Sequence, residues 1–438
     1  MVCDLSHLVP PASITPASAG WPAFLPCRWG VRVHHVKRKV PVLKDIYERL
    51  LAAANLESAD GAIRITAEYE PIGGPGSTVF PPTVKTKASD AAGYLVGPRY
   101  VDGERVDVVW LDQPQSQANR CEQALREAID AGAVYLPHLL MATEAAGVPV
   151  RMTNLDAPHR SRDAYFRDSE DAAGTKFDET EAGEALRQAS ATDWSAYLRL
   201  VPTDLVYGAW DSHRKRRIQV KIPRAYTSSM IGVAPLMGVR GAGRVDALNL
   251  AGDTVTISDS GWSPLEGAKA PKGAKTAKMS ELGHGMIPPS EGLGGVSVKT
   301  VSREATLAMA QFATLRFGAV SPELTAAARA LVAAVALLGD RLAFAAPALR
   351  LRSGCDLVMV SERVQWVGRG HDGRPQEEAL AVSTPQEALA LFEIALERAR
   401  AAGLDWAVEP VVVKPNASLQ QAIENSYKTH GVGEAEGE

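Results

Sequence analysis

The chain has 438 residues, of which 46% are hydrophobic and 22% charged, with a net charge of −4. This length fits two domains or one core with large insertions, and the composition suits a globular chain; the slightly acidic balance argues against a wholly basic nucleic-acid platform but allows a local one. No uncharged apolar run approaches the ~20 residues of a membrane-spanning helix, because Leu331 to Leu338 is bracketed by Arg329, Asp340 and Arg341, so no membrane partner is expected.

Residues 1–40 hold Pro10, Pro11, Pro16, Pro22 and Pro26 before a basic cluster at Arg28, Arg32, Lys37, Arg38 and Lys39. A secretory signal places its charges ahead of an apolar segment, so an irregular extension on a cytoplasmic protein is expected. Cys3, Cys27, Cys121 and Cys355 are too scattered for a metal motif or a disulfide framework; they read as free thiols, with Cys121 and Cys355 in the core.

Ile63 to Tyr69 alternates apolar and polar residues as a half-buried strand, and Ile72-Gly-Gly-Pro-Gly76 is a loop. A strand at Val106 to Leu111 leads into a helix from Gln115 to Ala131, with Ala118, Cys121, Leu125, Ala128 and Ile129 on its apolar face and Gly132 ending it. The segment 133–200 mixes helical signals with an acidic stretch and reads as an insertion. A strand is expected at Asp204 to Trp210. Residues 238–295 are rich in glycine, proline and lysine and read as a flexible excursion, with a short strand at Thr254 to Ser258.

Further on, Ser302 is expected to cap a helix reaching Phe317, and Ser321-Pro322-Glu323 to start another. A strand follows at Leu357 to Val367. Thr384-Pro-Gln-Glu387 has capping-box spacing before a helix ending at Gly403, and Trp406 to Val413 closes as a strand. This order predicts an α+β fold with a ferredoxin-like or RRM-like sheet, its halves separated by a large insertion.

The glycine clusters at 73–76, 241–243 and 292–295 match neither the dinucleotide fingerprint nor a P-loop, so they read as turn glycines and no cofactor is expected. No two histidines stand at helical ligand spacing, so no metal is expected. His159 beside Asp156, and His284 near Glu281 and Glu291, are acid/base groupings without a nearby serine or cysteine elbow; no catalytic residue is assigned. Asp156, Asp163 and Asp168 alternate with Arg160, Arg162 and Arg167, a pattern open to an ion-pair cluster or to phosphate contacts. Ser212 to Val245 has no acidic residue but carries Arg214, Lys215, Arg216, Arg217, Lys221, Arg224, Arg240 and Arg244, with Tyr226 available to stack on a base. Lys269, Lys272, Lys275 and Lys278 recur every third residue, as in a solvated linker or a phosphate-binding strip.

Five phrases in order are more specific: ITAEYEPIGGPGSTVFPPT from Ile65, LDQPQSQANRCEQAL from Leu111, NLDAPHRSRDAYFRDS from Asn154, PTDLVYGAWDS from Pro202 and ELGHGMIPPSEGLGGV from Glu281. Together they resemble the RAMP-superfamily backbone subunit of type I-G (formerly I-U) CRISPR surveillance complexes. The resemblance implies a modified RRM-like palm over residues 41–132, 201–227 and 293–415, a helical fingers insertion at 133–200, a β-hairpin-like thumb at 228–292 and a C-terminal tail at 416–438. It further implies a non-enzymatic subunit that oligomerises along a CRISPR guide RNA and presents it to a target DNA strand, beside other subunits of the complex. Ser116, Gln117, Asn119 and Arg120 would then face the RNA backbone, as would His159, Arg160 and Arg162. The alternative is a RAMP endoribonuclease using Asp246, Asp253 or Asp259.

Overall fold

The computed structural model describes residues 40–86, 89–210, 221–248, 250, 253–258, 261–265, 272–370 and 372–430. The expected extension at 1–40 therefore falls almost wholly outside the described residues. The principal elements in chain order are α1 (Val40–Ala53), β1 (Asp60–Pro71), β2 (Val96–Val101), β3 (Glu104–Asp112), α2 (Pro114–Asp130), β4 (Leu139–Ala145) and β5 (Val148–Thr153). Then come β6 (Tyr226–Val233), β7 (Leu236–Arg244), β8 (Thr254–Ser258), β9 (Gly261–Pro264), β10 (Lys275–Lys278), β11 (Ile287–Ser297) and β12 (Thr300–Ala308). The chain continues through α3 (Pro322–Phe344), β13 (Ala348–Arg352), β14 (Cys355–Arg369), β15 (Pro375–Ala379), α4 (Pro385–Ala401), β16 (Val411–Pro415) and α5 (Ala417–His430).

The fold is mixed α+β, built on an eight-stranded antiparallel sheet in the order β13-β14-β1-β12-β6-β3-β2, with β15 beside β14. Alternation makes β1 central: Ile63, Ile65, Ala67 and Tyr69 point to the buried side. Arg64, Thr66 and Glu68 lie on the other face, opposite Thr306, Glu304 and Ser302 of β12. Against the buried side packs α3, apolar all round from Ala330 to Leu338 and buried almost throughout from Ala327 to Arg341, with α1, α2 and α4 around it. Its start follows the expected chemistry, with Pro322 in the first turn and the Ser321 hydroxyl accepting from Leu324 N–H at 3.1 Å. Thr384 and Glu387 form the expected reciprocal capping box on α4. Cys121 and Cys355 are buried free thiols.

Several expected elements differ. Asp204 to Trp210 is not a strand; Pro202–Tyr207 is a buried helical turn that starts on proline, and only Ala209–Trp210 is extended. A fully buried apolar run carries no periodicity to separate the two forms. Ser302 caps no helix. It lies in β12, between β1 and β6, where Val301, Arg303, Ala305 and Leu307 point inward. The inward arginine breaks the apolar alternation that would have marked a strand.

The closing strand covers only Val411–Pro415 and pairs in parallel with β4 in a separate sheet, so it does not complete a ferredoxin-like order. The segment 133–200 is likewise not simply helical: it opens with the β4–β5 hairpin and continues in short helices at Ala164–Arg167, Glu181–Gln188 and Ser195–Leu200. The supposed flexible excursion is an antiparallel arm of β7 and β11, with β9-β8-β10 forming a small sheet beyond it. Since β6 belongs to the main sheet, the arm runs from Leu236 to Ser297 rather than from 228 to 292.

Candidate nucleic-acid interface

The start of α2 is where the first RNA contacts were expected. Gln117 cannot make one. It is fully buried, donating to Asp112 Oδ2 at 2.6 Å and accepting at its carbonyl from Ser228 Oγ at 2.8 Å and Arg303 Nε at 3.2 Å. An amide both donates and accepts, which suits it to link the buried carboxylate to the buried guanidinium. Arg120 is half-buried, held by Asp112 Oδ2 at 2.7 Å and the Leu351 carbonyl at 2.9 Å. Ser116 is half-buried, and Asn119 is exposed.

The network continues inward. Arg303, Asp340 and Arg341 are all fully buried. Arg303 and Arg341 both bond Asp340, which also accepts from Tyr226 Oη at 2.7 Å, and Arg341 reaches Glu362 at 2.7 Å. Burial alone would raise the Asp340 carboxyl, but the two arginines bring it down to about 2. Tyr226, expected as a stacking surface, is an internal strut; Tyr207 meets it edge-on at 5.7 Å.

The 154–163 phrase is a buttress. Arg160 and Arg162 are buried, and only His159 of the three expected contacts is exposed. Arg160, at a positive φ of 55°, grips Glu122 at 2.6 and 2.8 Å and the Gly208 carbonyl at 3.0 Å. Arg162 bonds Tyr197 Oη and the Leu186 carbonyl. Asp204 takes the Ser161 hydroxyl at 2.5 Å. Burial raises Glu122 to about 7 despite Arg160, and raises Asp204 to about 6 despite Ser161. The ion-pair reading was right in kind, but Arg160 found its partner on α2 rather than among the neighbouring aspartates.

The remaining cations divide by location. Arg214, Arg216, Arg217 and Lys269, like Asp259, lie outside the described residues. Lys221 and Arg224 are exposed, and partial burial with Arg160 nearby lowers Arg224. On the arm, Arg240 is exposed and stands over the Phe80 ring at 5.8 Å, whereas Arg244 is bound to the carbonyls of Gly283 and Gly285 and staples the arm. Lys272, Lys275 and Lys278 are exposed at its far end. Among the described residues no carboxylate forms an ion pair with the ammonium groups of these three lysines or with the Arg240 guanidinium, although Glu281 accepts from the backbone N–H of Lys278 at 3.1 Å.

Reasoning from the sequence missed how the glycine clusters meet. Gly238 and Gly294 lie backbone to backbone, where a Cβ on Gly238 would stand 2.4 Å from the Gly295 carbonyl, and a Cβ on Gly295 would stand 2.5 Å from Thr78. Tyr94 Oη bonds the Gly294 carbonyl at 2.6 Å, and Ser297 Oγ the Gly76 carbonyl at 2.7 Å. These glycines permit close packing at the root of the arm, not an anion cradle. Also missed was Trp262, against His284 with ring centroids 5.5 Å apart; its only signal was a lone aromatic in a glycine- and lysine-rich stretch. Asp246, an expected nuclease candidate, accepts from Leu248 and Leu250 N–H and is lowered chiefly by the latter; Asp253 is exposed.

The scaffold is thus a sheet-and-helix body whose core arginines are internally neutralised and whose β arm carries exposed cations with no ion pair among the described residues. Residues 63–235, from β1 to the end of the main-sheet strand β6, match the family model of CRISPR-associated protein GSU0053. The match supports a CRISPR-associated protein. No curated protein matches the chain. No described helix is long and apolar enough to cross a membrane.

Proposed function

We propose that this chain is the guide-RNA-holding backbone subunit of a type I-G CRISPR surveillance complex and that it performs no chemistry of its own. Its body serves as the modified RRM-like palm, residues 133–200 as fingers and the β arm as thumb. Copies of the chain assemble along one guide and present it to a target DNA strand, with other subunits of the complex as neighbours. The observation that carries this reading is the partition of cations: core arginines are neutralised, while among the described residues no carboxylate forms an ion pair with the exposed Arg240 guanidinium or the exposed ammonium groups of Lys272, Lys275 and Lys278 on the arm. Such cations bind phosphates irrespective of sequence, leaving specificity to base pairing, as a variable guide requires. The face of the main sheet away from the helices carries Arg64, Thr66 and Glu68 at its centre and, opposite Ile231, the half-exposed Trp110 with Arg99 over its ring at 4.3 Å.

Replacing Arg240, Lys275 and Lys278 together with Ala tests the proposal. Guide binding should weaken about equally for unrelated spacers, and the salt slope should fall by about 2, at roughly 0.7 per phosphate on a single strand. Changing the exposed Lys44, Arg400 and Lys428 should do much less. Equal losses in the two variants would mean that general surface charge explains the binding. RNA cleavage by the purified chain with Mg²⁺ or Mn²⁺, abolished by Asp246→Ala or Asp253→Ala, would favour the endoribonuclease instead.

A further inference from the structure

We propose that a pocket between Arg316 and Arg329, at the end of β12 opposite the arm, binds the phosphate monoester of a small ligand of nucleotide size. This site goes beyond the guide-holding reading and does not depend on it. β12 enters from the arm at Thr300 and ends at Ala308, roughly 25 Å further on at about 3.3 Å per residue. Met309–Ala313 then forms a short helix, and Arg316 follows where the chain turns towards α3. The pocket encloses about 440 Å³, and its wall joins four stretches of chain: Leu56 after α1, Thr192 of the 133–200 insertion, Arg316 with Phe317, and Thr325 with Arg329 on α3.

The two guanidinium groups share this recess without an acid. Half-buried Arg329 donates from Nε to the Leu315 carbonyl at 2.9 Å and from Nη1 to the Ala54 carbonyl at 3.3 Å, so neutral groups fix its direction and leave its charge standing. Arg316 is exposed, and its backbone carbonyl accepts from Trp194 N–H at 2.7 Å, which pins the residue at its root. Among the described residues no carboxylate forms an ion pair with either, whereas Arg160, Arg303 and Arg341 each hold one. Burial lowers Arg329, and the neighbouring Arg316 charge lowers it further, as like charges in one recess must.

An anion relieves that repulsion, and the chemistry of the pocket selects which one. A guanidinium fork matches paired oxygens, and two forks match the near-double charge of a phosphate monoester at neutral pH better than the single charge of a carboxylate or a backbone diester. The Thr325 hydroxyl adds a donor to the wall. The volume exceeds what a bare phosphate needs and lies within the range of small-molecule sites, about 300–1,000 Å³. Leu56 and Phe317 supply an apolar wall for the rest of the ligand.

The full chain should be titrated calorimetrically with adenosine 5′-monophosphate, inorganic phosphate, adenosine and succinate. The monophosphate and inorganic phosphate should bind saturably, and adenosine and succinate far more weakly. Arg316→Ala, a change at an exposed side chain, should weaken both phosphate ligands about ten-fold, and Arg316→Lys should recover part of the loss, since an ammonium keeps the charge without the fork. Parallel titrations with 5′-phosphorylated and 5′-hydroxyl RNA identify the source of the phosphate. A preference for the phosphorylated strand that Arg316→Ala removes marks a strand end, whereas monophosphate binding without such a preference marks a free nucleotide; either supports the site. Binding of 5′-hydroxyl guide RNA, and its salt slope, should be the same in Arg316→Ala as in the wild type. If Arg316→Ala instead loses as much guide affinity as the Arg240, Lys275 and Lys278 triple variant, Arg316 belongs to the general guide contact and the proposal is overturned. It is equally overturned if the folded wild type binds neither phosphate ligand, if adenosine or succinate binds as tightly, or if Arg316→Ala leaves phosphate binding unchanged.

Discussion

Arg303, in a segment the sequence reads as helix, serves the interior of a sheet in the fold. It projects inward from β12 with no exposure, and its guanidinium lies over the Phe344 ring at 3.8 Å while bonding Asp340, Gln117 and Tyr226. Truncating one member of a buried charge network leaves the others unpaired, so Arg303→Ala should cost about 3–5 kcal/mol in urea unfolding. The same variant should unfold at a higher pH on acidification. Asp340 is depressed in the folded state; its contribution is present above the ordinary carboxylate range, is lost as pH falls towards about 2, and shrinks without Arg303. Glu122 works in the opposite sense. Its folded value, about 7, lies above the ordinary one, so between roughly pH 4 and pH 7 the folded state holds the extra proton and stability falls as pH rises. In Glu122→Gln that slope, read from urea unfolding at pH 5, 6, 7 and 8 (on the order of one point per unit, as the window requires), should flatten, although the variant is less stable throughout because Arg160 loses its bidentate partner.

At the level of elements, the arm depends on its glycines. Gly238 and Gly294 let β7 and β11 approach, and Gly295 makes room for Thr78 and Phe80. Gly238→Val puts side-chain atoms where the Gly295 carbonyl stands, a strain of about 1–3 kcal/mol. Because the arm strands pair with each other and with Thr78–Val79 alone, the damage should stay local. Hydrogen exchange should speed up about ten-fold or more across 236–244 and 287–297, while β1 and α3 stay protected. Equal acceleration in β1 would show that arm and body unfold as one unit.

For the whole molecule, the proposed function makes assembly stepwise. If each subunit covers a fixed stretch of guide, a longer spacer should add whole subunits to the particle, read as jumps of one 46.6 kDa chain in native mass spectrometry. A mass unchanged as the guide lengthens would favour a single discrete RNA site. What the sequence by itself determined about this protein is what short-range chemistry encodes: the alternation of β1, the length of α2, the Ser321 and Thr384 caps, the α+β class and the separation of a glycine-rich segment. Backbone propensity and capping act within a few residues and leave their mark in the order of side chains. Only the tertiary structure decided which cations face solvent. Gln117, Arg160 and Arg162 were expected at the surface from the family resemblance; Gln117 instead links Asp112 to Ser228, 111 residues away, and Arg160 and Arg162 find Glu122 and Tyr197, 38 and 35 residues away. The same holds for β12, whose inward Arg303 disguises a central strand, and for β16, which leaves the main sheet for β4. Charge pairing and strand choice are settled by which groups the fold brings into the same low-dielectric interior, and that is a property of the packed chain rather than of any one segment.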